Sequence, residues 1–198
     1  MGRLGKIGLL GGTFDPIHNA HIEIALVAKQ RFNLDEVHFI VAKEPPIKEH
    51  VVLDAERRFK LALKALEPYE GFVASRIELD RVGKSYSYLT VQDYRQQFPD
   101  AELFWIMGKD AFIGLPEWKE FDYLKDNLSF IVFSREINNL QVRDDRDQLT
   151  GINFFVIDDV NFQISSSDIK ASLDQKMSLD QELPRNIREL IVEYYGKD

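Results

Sequence analysis

Apolar residues follow two kinds of spacing along this chain. Short apolar runs predict buried strands, and stretches with apolar residues three or four positions apart predict amphipathic helices. The predicted strands are 7–10, 37–41, 72–74, 103–107, 128–133 and 153–157, and the predicted helices are 22–31, 55–66, 88–98, 121–127, 166–173 and 184–195. Because strands and helices alternate, we expect an α/β fold with a parallel sheet covered on both faces. A ligand should then lie at the carboxyl ends of the strands.

Three of the predicted helices carry an apolar face. In the first it runs through Ile22, Leu26 and Val27, and in the second it includes Phe59, Leu61, Ala62, Leu63 and Leu66. The last helix has such a face through Ile187, Leu190, Ile191 and Tyr194. That last face is compatible with core packing or with a contact in a homo-oligomer.

Composition bounds the class of protein. The chain has 198 residues, no cysteine, 44% apolar residues and 29% charged residues, which is typical of one globular domain and excludes a disulfide framework. We therefore expect residues 1–198 to form a single domain. No apolar run approaches the length of about 18 to 20 residues that spans a bilayer. The first residues do not resemble a secretory signal, so we expect a cytoplasmic protein without a membrane partner.

Charge is spread unevenly. The formal net charge is −8, yet residues 1–64 carry 10 basic and 8 acidic side chains, whereas residues 65–198 carry 15 and 25. The first third is therefore where an anionic ligand is expected. The overall negative charge argues against a nucleic-acid partner.

The strongest local signal follows the first predicted strand. Residues 11–21 read Gly-Gly-Thr-Phe-Asp-Pro-Ile-His-Asn-Ala-His, so two glycines precede a predicted helix. Glycines let the backbone approach a ligand, and a helix N-terminus offers N–H donors to an anion. His18 and His21 lie three residues apart, on one face of the first turn. This pattern predicts a phosphate site, with a helix-capping role for the histidines as the alternative.

Two other interpretations of this loop fit less well. A third glycine would be required for the G-x-G-x-x-G dinucleotide fingerprint, and the glutamate of the H-E-x-x-H zinc motif is missing. We therefore expect no resident metal.

The loop resembles the G-G-x-F-x-P-x-H-x-x-H signature of the nucleotidyltransferase superfamily, and the whole chain resembles bacterial nicotinate-mononucleotide adenylyltransferases. Further similar segments follow in order: Pro45-Pro46-Ile47-Lys48, the helix led by Arg58, Glu78 to Ser87, Gly108-Lys109-Asp110 with Leu115 and Trp118, and Ile164 to Lys170. Ile47, Ser87 and Lys170 depart from the residues usual in that family. The resemblance implies a Rossmann-like fold with a parallel sheet and helices on both faces.

That resemblance implies adenylyl transfer from ATP to nicotinate mononucleotide, with Mg²⁺ carried by ATP. It implies catalytic roles for His18, His21 and Lys48. ATP-binding residues would be Gly11, Gly12, Thr13, Phe14, His18, His21, Gly108, Asp110, Ile164, Ser165, Ser166, Ser167 and Lys170. Mononucleotide-binding residues would be Asp15, Lys48, Ser85, Tyr86, Ser87 and Trp118. Residues 164–198 would form a C-terminal helical segment that completes the ATP site.

Several alternatives stay open at this point. The acceptor could be nicotinamide mononucleotide or phosphopantetheine, and a non-catalytic nucleotide-binding regulator is the alternative of another class. Ser165 to Ser167 could simply cap a helix, Asp110 could cap the next helix, and Trp118 could be a core residue. His38 and His50 are interpreted as structural.

Overall fold

A computed structural model of the chain describes residues 5–45, 51–134, 150–160, 166–174 and 179–196. Its centre is a six-stranded parallel sheet in the order β3-β2-β1-β4-β5-β6. The strands are β1 Lys6–Gly12, β2 Glu36–Val41, β3 Phe72–Ser75, β4 Glu102–Gly108, β5 Ser129–Phe133 and β6 Asn153–Ile157. The predicted α/β class and parallel sheet are therefore confirmed.

Seven α-helices connect and follow these strands within the described ranges. They are α1 Asn19–Phe32, α2 Ala55–Leu66, α3 Ser87–Gln97, α4 Lys109–Ile113, α5 Phe121–Asn127, α6 Ser166–Asp174 and α7 Arg188–Tyr195. Two short 3₁₀ turns add Leu115–Glu117 and Arg185–Ile187. None of the helices in the described ranges has both the length and the apolar character needed to cross a membrane.

The sheet separates two hydrophobic clusters. One contains buried residues of α1, α2, α6 and α7, and the other contains buried residues of α3, α4 and α5. Alternate residues of β1 serve the two sides, since Leu10 belongs to the first cluster and Leu9 to the second. Both faces of the sheet are therefore covered, as the continuous apolar strands predict.

The helical pattern was wrong in detail at two positions. Leu26 is 42% exposed and Leu63 is 51% exposed, so neither belongs to the core. The face that α1 buries consists largely of small residues: Ala20, Ile22, Ala25 and Ala28. Alanines allow the helix to approach the sheet closely, and the larger Leu26 therefore lies off the contact face.

The end of the chain differs from the predicted helix 184–195. A 3₁₀ turn comes first, and α7 begins only at Arg188. Ile187 and Ile191 are fully buried, and Leu190 and Tyr194 pack against the same cluster. Core packing within the chain therefore accounts for this apolar face.

The strand order places the candidate site. From β1 the chain continues to β2 and β3 on one side of the sheet, and from β4 it continues to β5 and β6 on the other side. A crevice therefore opens between β1 and β4, at the carboxyl ends of these two strands. Leu10 in β1 pairs with Ile106 in β4, which brings Gly11 and Gly12 beside Met107 and Gly108. The glycine loop therefore lies at the point where a doubly wound sheet binds its ligand.

Candidate active site

Close packing requires both glycines at the end of β1, Gly11 and Gly12. A Cβ atom on Gly11 would lie 2.9 Å from the indole of Trp105, and one on Gly12 would lie 3.0 Å from the ring of Phe14. Trp105 and Phe14 are themselves buried, so neither ring can move aside easily. The loop can approach a ligand because no side chain stands between its backbone and the crevice.

The two histidines of the loop form a stacked pair. Their ring centroids are 3.7 Å apart, and the backbone N–H of His18 donates to Nδ1 of His21 at 3.3 Å. Burial lowers the pKa of His21 well below its ordinary value, and the neighbouring His18 lowers it further. His21 is therefore neutral at pH 7, and because its Nδ1 is an acceptor, its hydrogen lies on Nε2. The imidazole offers one N–H donor rather than a full charge.

The expectation of unoccupied N–H donors at the start of α1 is wrong for two residues. The backbone N–H of Asn19 donates to the carbonyl of Glu182 at 2.8 Å, and that of His21 donates to the carbonyl of His18 at 3.0 Å. The side-chain amide of Asn19 also donates to the carbonyl of Gln181 at 2.7 Å. A segment near the end of the chain has thus taken the place expected for an anion.

A first pocket lies between β1 and β4. It has a volume of about 390 Å³ and is lined by Gly11, Gly12, His21, Glu78, Ser85, Ser87, Trp105, Met107, Gly108 and Trp118, among others. The two indoles meet edge to face, with ring centroids 6.1 Å apart. Trp118 lines this pocket and is only partly buried, so its ring can contact a planar ligand there.

Polar groups of this first pocket are fixed by the surrounding backbone. The Ser85 hydroxyl accepts from the N–H groups of Lys43 at 2.9 Å and Glu44 at 3.2 Å. Thr90 donates to the buried carboxyl of Glu78 at 2.5 Å. Burial raises the pKa of Glu78, and the hydrogen bonds from Thr90 and Ser85 oppose that rise.

Other residues predicted for the mononucleotide lie beside this pocket. Ser87 begins α3, and Tyr86 is the residue that precedes it. The ammonium group of Lys119 lies 4.8 Å from the centre of the Tyr86 ring. Tyr86 therefore lies next to a positive charge.

A second pocket lies on the other side of His21. Its volume is about 520 Å³, and its lining residues are Thr13, Phe14, Asp15, His21, Ser166, Ser167 and Lys170. The Ser166 hydroxyl donates to the carbonyl of Pro16 at 3.1 Å, which ties α6 to the glycine loop. His21 lines both pockets, so its imidazole stands where the two meet.

Asp15 is the buried carboxylate of the second pocket. Its oxygens accept from the Val52 N–H at 2.8 Å, the Leu53 N–H at 3.2 Å, the Tyr195 hydroxyl at 2.6 Å and the Lys170 ammonium at 3.2 Å. Burial alone would raise the pKa of Asp15, but these hydrogen bonds and the charge of Lys170 lower it below its ordinary value. Asp15 is therefore ionised and held by the protein itself.

Three predicted site residues, Lys48, Ile164 and Ser165, lie outside the described residues, as does His50. Asp110 is exposed and stands in the first turn of α4, whose N-cap is Gly108, so Asp110 does not cap that helix. Among the described residues, no group of three or more His, Cys, Asp or Glu side chains is arranged to hold a metal ion.

Sequence reasoning did not assign three residues of this region to the site: Trp105, Arg58 and Tyr195. Trp105 sits in an apolar strand, where its pattern indicates core. Arg58 is 1% exposed, and it donates to the carbonyl of Thr13 at 2.5 Å. The position of Arg58 on an otherwise apolar helix face, in a segment that resembles the family, was the available signal for Arg58; for Tyr195 the sequence offers none.

A doubly wound parallel sheet whose first loop carries two glycines and a histidine pair is the architecture of a nucleotidyltransferase, and residues 9–172 match the family described as Cytidylyltransferase-like. A probable nicotinate-nucleotide adenylyltransferase of Clostridium botulinum (strain Eklund 17B / Type B) is 36% identical over 193 residues, which are 95% of this chain and 96% of the relative. The corresponding protein of Exiguobacterium sibiricum is 32% identical over 189 residues, 96% of this chain and 97% of the relative. This chain belongs to the nicotinate-nucleotide adenylyltransferase family.

Comparison with solved structures supports the fold. The nicotinic acid mononucleotide adenylyltransferase of Plasmodium falciparum, complexed with NaAD, superposes with a TM-score of 0.76 and covers 98% of both chains at 16% identity. At that identity the likeness concerns the fold, which agrees with the Rossmann-like architecture expected from the sequence.

Proposed function

We propose that this protein transfers the adenylyl group of ATP to nicotinate mononucleotide and so makes deamido-NAD in NAD biosynthesis. A phosphate oxygen of the mononucleotide attacks the α-phosphorus of ATP, the bond from that phosphorus to the bridging oxygen breaks, and pyrophosphate leaves. The observation that carries this proposal is the pair of pockets that meet at His21. A two-substrate transfer needs two sites whose reacting groups touch at one point.

The second pocket fits the triphosphate. Lys170 supplies a cation, and Thr13, Ser166 and Ser167 lie on the same walls. Phosphoryl transfer requires mainly that the reacting groups be aligned and that positive groups surround the phosphate oxygens, and the protein takes little part in covalent chemistry. The absence of cysteine from the sequence agrees with direct transfer rather than a cysteinyl intermediate.

The first pocket fits the pyridine mononucleotide. Trp118 offers a partly exposed indole against which a pyridine ring can stack, and Ser85 and Ser87 lie on the same wall. Gly108, at the end of β4, leaves open space above its Cα atom. Gly108 lies on the wall of this first pocket and not of the second, so the ATP-binding role expected for Gly108 and Asp110 would require ATP to extend past His21.

His21 would serve both substrates as a hydrogen-bond donor. Its Nε2–H belongs to a neutral ring, so it can donate to a phosphate oxygen without a counter-charge of its own. The negative charge of a bound phosphate would favour protonation of the His21 imidazole. Protonation would strengthen its hydrogen bond to phosphate as negative charge builds on the leaving group. Mg²⁺ would arrive with ATP, because phosphate oxygens and water are its usual ligands in such sites.

The remaining assignments are proposed on the family resemblance. Lys48, Ile164 and Ser165 would join the phosphate site from outside the described residues. The contact of Ser166 with Pro16, and the position of Lys170 on the wall of the second pocket, support a C-terminal segment, 164–198, that completes the ATP site. A cytoplasmic location and the absence of a nucleic-acid partner stay predictions from the sequence.

Pyrophosphate release from Mg·ATP tests the function directly. The protein is assayed with nicotinate mononucleotide, nicotinamide mononucleotide and phosphopantetheine as separate acceptors. We expect release with nicotinate mononucleotide to exceed the other two by at least about tenfold in kcat/KM. Preference for phosphopantetheine or nicotinamide mononucleotide would change the acceptor, and no release with any of them would favour the nucleotide-binding regulator.

A further inference from the structure

Three distant segments of the chain meet on one buried side chain. Asp15 is 3% exposed and accepts hydrogen bonds from the segment before α2, from α6 and from the end of α7. Three of its four donors, the N–H groups of Val52 and Leu53 and the hydroxyl of Tyr195, are neutral, and the fourth is the ammonium of Lys170. The geometry is therefore not that of a simple ion pair.

The neutral donors decide how strongly Asp15 holds Lys170. A buried carboxylate with only one cationic partner would bind that cation closely and cancel its charge. Each neutral donor takes part of the negative charge, and the Tyr195 hydroxyl, at 2.6 Å, makes the shortest of the four contacts. Lys170 also lines the second pocket and keeps 27% of its side chain exposed, so its ammonium lies between Asp15 and the space proposed for the triphosphate.

We propose that Tyr195 is a positioning residue for ATP: by donating to Asp15, its hydroxyl weakens the hold of that carboxylate on Lys170 and leaves the ammonium able to bind phosphate. This inference rests on the proposed function only in taking the second pocket as the triphosphate site. Tyr195 is suited to the role because burial and the adjacent Asp15 raise the pKa of its hydroxyl, which therefore stays a donor.

The Tyr195→Phe variant tests the proposal, because it removes one oxygen and keeps the ring. Without that donor, Asp15 should bind Lys170 more tightly and the ATP site should weaken. We expect the KM for ATP to rise about 5- to 20-fold, with the KM for nicotinate mononucleotide unchanged within about twofold. The matched control is Tyr194→Phe on the same helix, since the Tyr194 ring faces Arg57 at 5.5 Å rather than Asp15.

A double mutant separates positioning from simple stability. In a Lys170→Met background, Tyr195→Phe should cause no further change in the KM for ATP, because the side chain through which it acts is gone. Independent effects of the two changes, or equal increases in both KM values, would overturn the proposal. Lys170→Met alone leaves Asp15 and Tyr195 in place, so an unchanged ATP KM in that variant would also overturn it, whatever the stability of Tyr195→Phe.

Direct titration with Mg·ATP keeps this test apart from the proposed reaction. If the wild-type protein binds ATP but releases no pyrophosphate with any acceptor, the proposed reaction fails. The positioning role is then judged by the ATP dissociation constant, which should rise by a similar factor in Tyr195→Phe and stay at the wild-type value in Tyr194→Phe. An ATP dissociation constant equal in all three proteins would refute it.

Discussion

Arg58 is the side chain whose removal should disturb both the fold and the site. It is 1% exposed in α2, and its guanidinium donates to three backbone carbonyls. These belong to Leu53 at 3.0 Å, to Thr13 at 2.5 Å and to Lys43 at 3.5 Å. One charged group thus joins the glycine loop, the start of α2 and the segment after β2.

The cost of Arg58→Met follows from those bonds. The contact with Lys43 is at the limit of a hydrogen bond and counts little, which leaves two good bonds from a charged donor. At about 1.5 to 3 kcal/mol for each bond to a charged group, the free energy of unfolding should fall by about 3 to 6 kcal/mol. Domains of this size have a total of only about 5 to 15 kcal/mol, so the loss would be severe.

Chemical denaturation measures this loss, and Arg57→Met is the matched control. Arg57 is the preceding residue of α2, its side chain is 55% exposed, and its ion pair with Asp54 spans 3.6 Å. Removal of such an exposed pair should cost at most about 1 kcal/mol. Equal losses of unfolding free energy in the two variants would refute the structural role given to Arg58.

A functional consequence should accompany the loss of stability. Thr13 lines the second pocket, and its carbonyl would lose its buried donor in Arg58→Met. At a temperature where the variant is still folded, the KM for ATP should therefore rise more than that for nicotinate mononucleotide. An unchanged KM for ATP would show that the loop keeps its shape without Arg58.

Four further outcomes are expected. Because His18 stacks on His21, His18→Ala should lower kcat for pyrophosphate release by about 10² to 10⁴ while the circular dichroism spectrum stays unchanged. Gly11→Ala would place a methyl group 2.9 Å from Trp105 and should lower the thermal midpoint by several degrees, about 1 to 3 kcal/mol. Lys170→Arg should keep the KM for ATP within about threefold or lower it, because a guanidinium also binds phosphate. Burial lowers the pKa of His38 below its ordinary value of 6.5, so the unfolded chain binds more protons than the folded one and the free energy of unfolding falls as the pH drops. Chemical denaturation at about pH 7.5 and 5.5 measures this fall, which should be smaller in His38→Gln than in the wild-type protein.

Much of the fold could be predicted because the strands are continuous apolar runs. The bounds of α2, α5 and β6 agree with the predicted ranges residue by residue. The helix α4 was missed since it has only five residues, too few for a helical period to be visible. Leu26 was placed on the apolar face of the first helix because periodicity marks apolar positions, whereas three alanines form most of the face that α1 buries.

The parts of the site formed by residues close together in the sequence could be predicted, and the parts formed by residues far apart in the sequence could not. The glycines and both histidines share one loop, so their proximity is visible in the sequence. Asp15 was predicted to bind the mononucleotide because the neighbouring sequence does not show that Tyr195 and Lys170 contact its carboxylate in the folded chain. Hydrogen bonds between residues this far apart depend on the whole fold and leave no periodic trace.

Two contacts with the glycine loop bring cations close to the proposed triphosphate site of a chain whose net charge is −8. Lys170 belongs to the acidic part of the chain, yet α6 lies against the glycine loop because Ser166 donates to the carbonyl of Pro16. Arg58 contacts the same loop, since its guanidinium donates to the carbonyl of Thr13. Since an anion responds mainly to charges within about one Debye length, roughly 8 Å at physiological salt, solvated carboxylates farther away on the surface oppose its binding only weakly. Asp15 lines the second pocket and its charge is shared among four donors, and under our proposal this is why Tyr195 matters to the binding of a triphosphate.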